Sequence, residues 1–471
     1  MAEWAARTHA WATGSRLFAC WRELEAAERL SADELQALSN RRLRETLRYA
    51  YAHVPYYRRV FDERGLVPDD IASAADLPLL PVLTKRIIRD EYAALHADPQ
   101  PPDAYESSTG GSTGEALKFR ATRELHDWHN AAKLRAWKWA GYRMGTPLAL
   151  LWGSPYDVAK FRSLKGRLRR LCNRERLLSA HALSDAICEQ YVERMRRTGV
   201  RRTGVRGTGV RRSNVRALHG YAGAVYALAR LCLNKGIDDI RLDFVLTTAE
   251  TVFDYRRAAI EEAFGCRVFD HYGSRETSMV SQECGEHGGY HVSIDNGIIE
   301  IVRDGQPVGP GETGSVLVTG FHNRAMPLIR YEIGDVAVAA DKPCGCSLPF
   351  PTFKSVEGRV SDMIVLRDGR VISPMFVIGL LFPNPEGNWG GGSEELDHVD
   401  QYQVVQEDYD AFTVRLVLKD GYPLERYRYI EGNLQRSLAP GIRVRLEQAE
   451  SIAPTDSGKR RPVMSRVPSP L

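Results

Sequence analysis

The sequence predicts an α/β protein. It has a large multi-layer α/β N-terminal domain with a β-rich subdomain, followed by a small α+β C-terminal domain. Three observations predict this. Helical and strand-like segments alternate from about residue 122 to about residue 280, the pattern of a layered α/β unit. From Ile298 to Asp335 the pattern changes to short apolar runs broken by glycine turns, G-Q-P-V-G-P-G-E-T-G among them, which reads as β-rich structure. After Gly358 the composition resets, and the remaining C-terminal stretch has the length of a compact unit. The 471 residues are too many for one ordinary core, so the expected domains are 1–358 and 359–471.

Taken in order, residues 1–75 read as mostly helical. Leu35–Tyr51 carries Leu, Arg and Ala at helical spacing, and Pro55-Tyr56-Tyr57 breaks it. Pro78 and Pro81 precede a basic helix from Thr84. Ser107–Gly114 is a loop of Gly, Ser and Thr, 122–141 is a helix, and Pro147–Trp152 is a buried strand. A helix ends near Met195, a strand enters at Leu218, and Cys266–Phe269 is a strand. In the last unit, strands around 401–419, a helix at 423–437 and a strand at 442–448 are expected.

Composition bounds the function. Apolar residues at 43% and charged residues at 26% read as soluble and globular. No run approaches the ~20 apolar residues of a membrane span. Met1–Trp21 has an early Glu3 and no apolar core of signal-peptide length. Eight cysteines, few for this length, point to a reducing cytoplasmic setting. The net charge of +4 has a local source. Nine arginines between Arg194 and Arg216 outweigh it, so the rest of the chain is net negative, which argues against a broad nucleic-acid surface. These arginines include the repeat R-T-G-V-R, R-T-G-V-R, G-T-G-V-R, R-S-N-V-R at 197–216. A period of five matches no repeat fold, so the segment reads as a surface loop lengthened by duplication; a basic arm for a phosphate-rich partner is the alternative.

Chemistry concentrates in short motifs. In S-S-T-G-G-S-T-G-E at 107–115, glycines let backbone N–H groups converge on an anion and hydroxyls add donors, although such a loop alone is equally a plain linker. No Lys-Ser/Thr follows Gly114, so it is not a Walker loop. In D-H-Y-G-S-R-E at 270–276, Tyr272 offers a ring for a purine and Glu276 a carboxylate for Mg²⁺; a strand-end turn with an ion pair is the plain alternative. Asp335, in R-Y-E-I-G-D after a glycine turn, suits a ribose diol or a turn. Arg359 offers a second ribose or phosphate contact, Asp362 a hinge. Lys459, in S-G-K, is a lysine on a flexible turn or part of a basic tail.

Together, in this order, the motifs resemble the adenylate-forming superfamily of acyl-CoA synthetases. Within it the chain looks most like phenylacetate–CoA ligase and its capsule-biosynthesis relatives, a likeness carried also by P-Y-Y-R at 55–58, T-A-E-T at 248–251 and M-P-L-I-R-Y at 326–331. The resemblance spans nearly the whole chain. It implies an acyl-CoA synthetase-like fold whose small domain is mobile, with ATP between the domains. It further implies phosphate binding by Ser108, Thr109, Gly110, Gly111, Ser112, Thr113 and Gly114. Glu250, Tyr272 and Gly273 would lie around the adenine, Asp335 and Arg359 on the ribose, Glu276 on Mg²⁺, and Lys459 would serve the adenylation step. The loop has Gly110-Gly111-Ser112 where relatives commonly read Ser-Gly-Thr, and Ala116 where Pro is common.

Cys284 and His291 form C-x(6)-H, and Cys344 and Cys346 form C-x-C. Three thiolates and one imidazole suit a closed structural Zn²⁺ site, with His287 as a second-ranked ligand; free thiols beside a surface histidine are the alternative. The leading expectation is ATP-dependent activation of a small carboxylic acid as acyl-AMP, then transfer to a thiol of CoA or a carrier protein. An amine or hydroxyl acceptor in polysaccharide or secondary-metabolite biosynthesis is the alternative. A non-catalytic nucleotide- or zinc-binding module is the alternative of another class, and the joint presence of Glu276 and Lys459 argues against it. Trp152–Tyr156 and His219-Gly220-Tyr221 are candidate acid-pocket lining or plain core. A homodimer is plausible from the resemblance.

Overall fold

The computed structural model describes residues 14–109, 117–152, 166–167, 170, 173–180, 185–196, 215–372, 374–382, 398–419, 421–453 and 461–468. Residues 197–214 of the arginine repeat at 197–216 lie outside the described residues.

Three helices open the chain: Leu17–Ala27, Ala32–His53 and Pro55–Arg64. Ser31 caps the second in a reciprocal box with Glu34, a device worth about 1 kcal/mol. Pro55 ends that helix and also starts the next, because a proline at the first helical position forfeits no hydrogen bond. The hairpin of β1 (Tyr105–Ser108) and β2 (Lys118–Ala121) leads into the helix Arg123–Trp139, capped by Thr122.

The parallel strands are β3 (Leu148–Trp152), β4 (Glu175–Ser179), β5 (Ala217–Tyr221), β6 (Phe244–Thr248) and β7 (Arg267–Gly273), in the spatial order β4-β3-β5-β6-β7. L-A-L-L-W is apolar throughout and F-V-L-T-T is buried at four of its five positions, because both faces are covered. Leu148, Leu150, Ala217, Phe244 and Leu246 pack under Trp137 of the helix Arg123–Trp139. Their neighbours Ala149, Leu151, Leu218, Val245 and Val268 face the other way, into helices Asp185–Arg196, Ala222–Asn234 and Asp254–Phe264.

The same sheet continues through β8 (Val280–Glu283), β9 (Tyr290–Val292), β10 (Gly297–Arg303), β11 (Gln306–Pro307), β12 (Thr313–Gly320), β13 (Tyr331–Ala339) and β14 (Thr352–Arg359). These are antiparallel, in the order β8-β9-β14-β13-β12-β10-β11, and make twelve strands in all. The helical start is pinned to this half by a buried pair. Arg135, fully enclosed, binds both carboxylate oxygens of Asp295 and the Leu24 carbonyl.

After β15 (Ile364–Val365) and β16 (Val371–Ile372) comes the helix Pro374–Leu381. Then β17 (Val399–Asp408) and β18 (Ala411–Leu418) form a hairpin, flanked in parallel by β19 (Arg443–Gln448) and β20 (Val463–Ser465). The core of this unit includes Phe253 and Tyr255 of the larger part, and Tyr255 Oη lies 2.7 Å from Tyr402 Oη. No helix among the described residues is long and apolar enough to cross a membrane.

Three expected boundaries shift. The strand expected at Cys266–Phe269 runs to Gly273, so Asp270 to Gly273 are in it. Asp335 lies within β13, since Gly334 takes φ +87° there without ending the strand. The helix expected at 423–437 divides into a short turn, Leu424–Tyr427, and the helix Tyr429–Ser437.

Candidate active site

Ligands of open parallel sheets bind beyond the carboxyl ends of the strands, where the strand direction changes. Here that place is the end of β7, and Tyr272 stands on it. Tyr272 donates to Asp335 Oδ2 at 2.9 Å, across from the antiparallel half of the sheet. Arg359 is the register partner of Asp335 and meets Asp335 Oδ1 at 2.8 Å. The carboxylate is thereby fixed between a phenol and a guanidinium. Burial and the Asp335 charge push the Tyr272 phenol well above its usual range, which keeps it a neutral donor.

Glu276 is 6% exposed, and burial raises its carboxyl above the usual range against the pull of Arg359 and Lys85. Burial, then the nearby Glu276 charge, raises the Tyr331 phenol above its usual range. Gly273 is required by close approach, since a Cβ there would stand 2.5 Å from the Met279 carbonyl oxygen.

Lys85 and Tyr331 are members of this cluster that the motifs do not reveal. Leu83 pairs with Tyr331 as an extra bridge on β13, and this brings Lys85 to Gly334, where a Cβ would meet Nζ at 2.9 Å. Burial, then Arg359, lowers the Lys85 ammonium from its usual range. No local sequence signal marks the residue. Arg330 of the same motif is structural: it binds Glu300 and the carbonyls of Leu80 and Gly305.

Glu250 sits beyond β6, with its carboxylate accepting from the Gly223 N–H at 2.7 Å at the start of the helix Ala222–Asn234, beside Arg256. Ser108 ends β1. Thr109 closes the neck of the glycine loop, donating from its N–H to the Leu117 carbonyl at 2.9 Å and accepting the Leu117 N–H at 3.0 Å. Gly110, Gly111, Ser112, Thr113, Gly114 and Lys459 lie outside the described residues. Asp362 ends a short helical turn after β14 and holds Arg461 through Nε at 2.9 Å.

A second cluster lies where β8–β9 approach the β13–β14 connection. The ligand atoms of Cys284, His291, Cys344 and Cys346 all fall within 4.8 Å of one another. Cys284 Sγ is 3.6 Å from Cys344 Sγ, and Cys346 Sγ is 3.3 Å from His291 Nε2. His291 Nδ1 lies 3.0 Å from the Phe350 carbonyl, which can only accept, so the neutral ring offers Nε2 as a ligand atom. Backbone N–H groups of Glu286 and Leu348 donate to the Cys284 and Cys346 sulfurs, each at 3.4 Å. His287 turns away to Glu283. The donor set and its support fit a tetrahedral Zn²⁺ ion.

Residues 393–466 match the family described as the CapK C-terminal domain. Over 367 residues the chain is 27% identical to a phenylacetate–coenzyme A ligase of Thermus thermophilus, covering 76% of this chain and 78% of the relative. Protein CapK of Staphylococcus aureus is 23% identical over 437 residues, 91% of this chain and 89% of CapK. Among solved structures, 2-hydroxyisobutyryl-CoA ligase in its postadenylation state superposes with a TM-score of 0.69 at 20% identity, over 93% of this chain and 91% of that one. The last likeness is one of fold.

Proposed function

We infer that this chain, an adenylate-forming protein of the phenylacetate–coenzyme A ligase and CapK type, activates a carboxylic acid with ATP as acyl-AMP and passes the acyl group to a thiol. One observation carries the reading. Tyr272, Glu276, Asp335 and Arg359, from three motifs spread over more than eighty residues of sequence, meet in one buried cluster that Lys85 joins.

A carboxylate oxygen attacks the α-phosphorus of ATP, and the bond to pyrophosphate breaks. Two anions must approach, so their repulsion has to be screened. In this reading Ser108, Thr109 and the loop Gly110–Gly114 cradle the phosphates. Asp335 accepts from the ribose diol while Tyr272 and Arg359 hold it still, and Tyr272, Gly273 and Glu250 flank the adenine. Lys459 supplies positive charge during the adenylation step. Glu276 would hold Mg²⁺, which neutralises phosphate charge when bound.

Domains 1–358 and 359–471 would turn about Asp362 between the two half-reactions, with Arg461 steadying the hinge. Zn²⁺ on Cys284, His291, Cys344 and Cys346 would be structural. A cytoplasmic setting and a homodimer go with this reading. A second reading keeps the adenylation and gives the acyl group to an amine or hydroxyl instead of CoA or a carrier thiol. In it, residues 393–466, which match the CapK C-terminal domain, would help present that acceptor.

ATP–pyrophosphate exchange with a panel of acids tests the reading, with Lys459→Ala as control. Exchange with one acid class, lost at least about 100-fold in the variant, is the expected result. ATP binding with no exchange for any acid would defeat it.

A further inference from the structure

We propose that the acid taken by this site is a single-ring aromatic acid bearing a hydroxyl group, and that the hydroxyl donates its one hydrogen to the imidazole Nε2 atom of His219, beside His271. This deepens the adenylation reading and rests on it.

The helix Arg123–Trp139 carries His129, Lys133 and Trp137 at four-residue steps, hence on one face. That face packs on the sheet, with Trp137 clustered on Ala217, Leu246 and Phe269 and Lys133 near His219 and His271. The Trp137 ring is 4.8 Å from His219, and Lys133 Nζ is 5.1 Å from the Trp137 centroid. Trp152, at the end of β3, is 5.2 Å from His219. His219 registers with Leu246 and Phe269, and His271 follows Phe269 by two residues, so both histidines sit on the same sheet face. His271 directly precedes Tyr272 on β7, so the two histidines lie next to the nucleotide cluster.

The tautomers are set by the neighbours. His219 Nδ1 lies 3.1 Å from the Leu246 carbonyl, which can only accept, so Nδ1 carries the hydrogen. Gln282 Nε2 donates to the Ala136 carbonyl at 2.6 Å, which turns Gln282 Oε1 to His271 Nδ1 at 3.3 Å; that nitrogen also carries its hydrogen. Both rings therefore present Nε2 as a bare acceptor. Burial, then the charge of Lys133, lowers His219 to about 3 and His271 to about 4, so neither acquires a second hydrogen at neutral pH. Two further buried polar atoms of the helix face, His129 Nδ1 and Trp137 Nε1, have no partner among the described residues.

Indole walls favour a flat ring. Acceptors beneath them favour a ligand that brings a hydrogen-bond donor. An unsubstituted ring would leave His219 Nε2 without a donor, and sites built for a hydroxyl discriminate strongly against the analogue lacking it. An aliphatic ammonium is disfavoured by Lys133.

The test compares 4-hydroxyphenylacetate with phenylacetate, and 3- and 4-hydroxybenzoate with benzoate. Pyrophosphate exchange gives kcat/KM, and quenching of tryptophan fluorescence gives Kd without chemistry. At least one hydroxylated acid is expected to be favoured about tenfold or more over its parent by both measures. That ratio is expected to collapse toward one in His219→Leu and to survive in part in His219→Gln, which keeps an acceptor oxygen. Each ratio is taken within one protein, so loss of folded material cancels. Equal or better use of the parent acids by the wild type would overturn the proposal, as would an equal fall of both acids in His219→Leu. Exchange with no acid would overturn the adenylation reading instead, and the Kd ratio would then decide this one, with no binding of any acid counting against it.

Discussion

Arg359 stands directly across from Asp335 on the neighbouring antiparallel strand, and their side chains meet at 2.8 Å while Tyr272 holds the other carboxylate oxygen at 2.9 Å. Two bonds leave the carboxylate one orientation. Asp335→Asn removes the charge with little change of shape. A hydrogen bond to a charged group is worth about 1.5–3 kcal/mol, so kcat/KM for ATP in exchange should fall about 10- to 100-fold. Tyr272→Phe should lose about tenfold or less. Steady-state exchange against ATP concentration checks both, and an unaltered KM for ATP in both variants would remove Asp335 from the nucleotide site.

Glu276 is buried beside Arg359 and Lys85, which oppose the effect of its burial. Burial raises its folded-state value above the usual 4.5, so its contribution to stability is present below about pH 4.5 and is lost as pH rises through the raised value. At pH 8, Glu276→Gln should therefore melt at least about 1 °C higher than the wild type while losing most exchange activity. Mg²⁺ with ATP should raise the wild-type melting temperature and leave the variant nearly unmoved. Equal shifts in both proteins would separate Glu276 from the metal.

The thiol cluster predicts linked losses. Cys344→Ser combined with Cys346→Ser should abolish bound zinc, measured by elemental analysis, and lower the melting temperature. Removing a structural metal removes folding free energy. A strong chelator should reproduce the effect in the wild type and not in the double variant. Unchanged metal content would end the zinc assignment.

Asp270 gives a pH signature away from the nucleotide cluster. Burial, then the Glu283 charge, pushes its carboxyl from 3.8 to about 6, despite hydrogen bonds from Thr247 and Tyr290. Its stabilising contribution is complete below pH 3.8 and is lost between there and about pH 6. The melting temperature of the wild type relative to Asp270→Asn should fall across that window and be flat above it. A constant difference from pH 4 to 7 would contradict the assignment.

The sequence makes legible the chemistry that is packed into short segments. Tyr272 and Glu276 share one motif, and Asp335 and Arg359 each stand in another, so local composition exposes them. The layered fold is legible for a similar reason: β3 and β6 are apolar at successive positions. Lys85 is not legible, because its place depends on the bridge between Leu83 and Tyr331, nearly 250 residues apart in sequence. His219 is legible as candidate pocket lining, but its pairing with His271 as an acceptor is not. The tautomers of the two rings are set by Leu246 and Gln282, which only the sheet brings near. Nor does any pattern announce that Phe253 and Tyr255 complete the core of the small unit.

His291 lies on β9 in register with Thr352 of β14, while Cys344 and Cys346 precede that strand in the chain. A slip of one residue between β9 and β14 would turn the imidazole to the opposite sheet face, away from the thiols. During synthesis β9 emerges some sixty residues before its partner, long enough for wrong pairings to form. A metal ion captured by all four donors would reward only the correct one. With zinc bound as proposed, the cluster would act as a proofreader of strand alignment, and a cell starved of zinc would accumulate chains misaligned where β9 meets β14, the strand that carries Arg359.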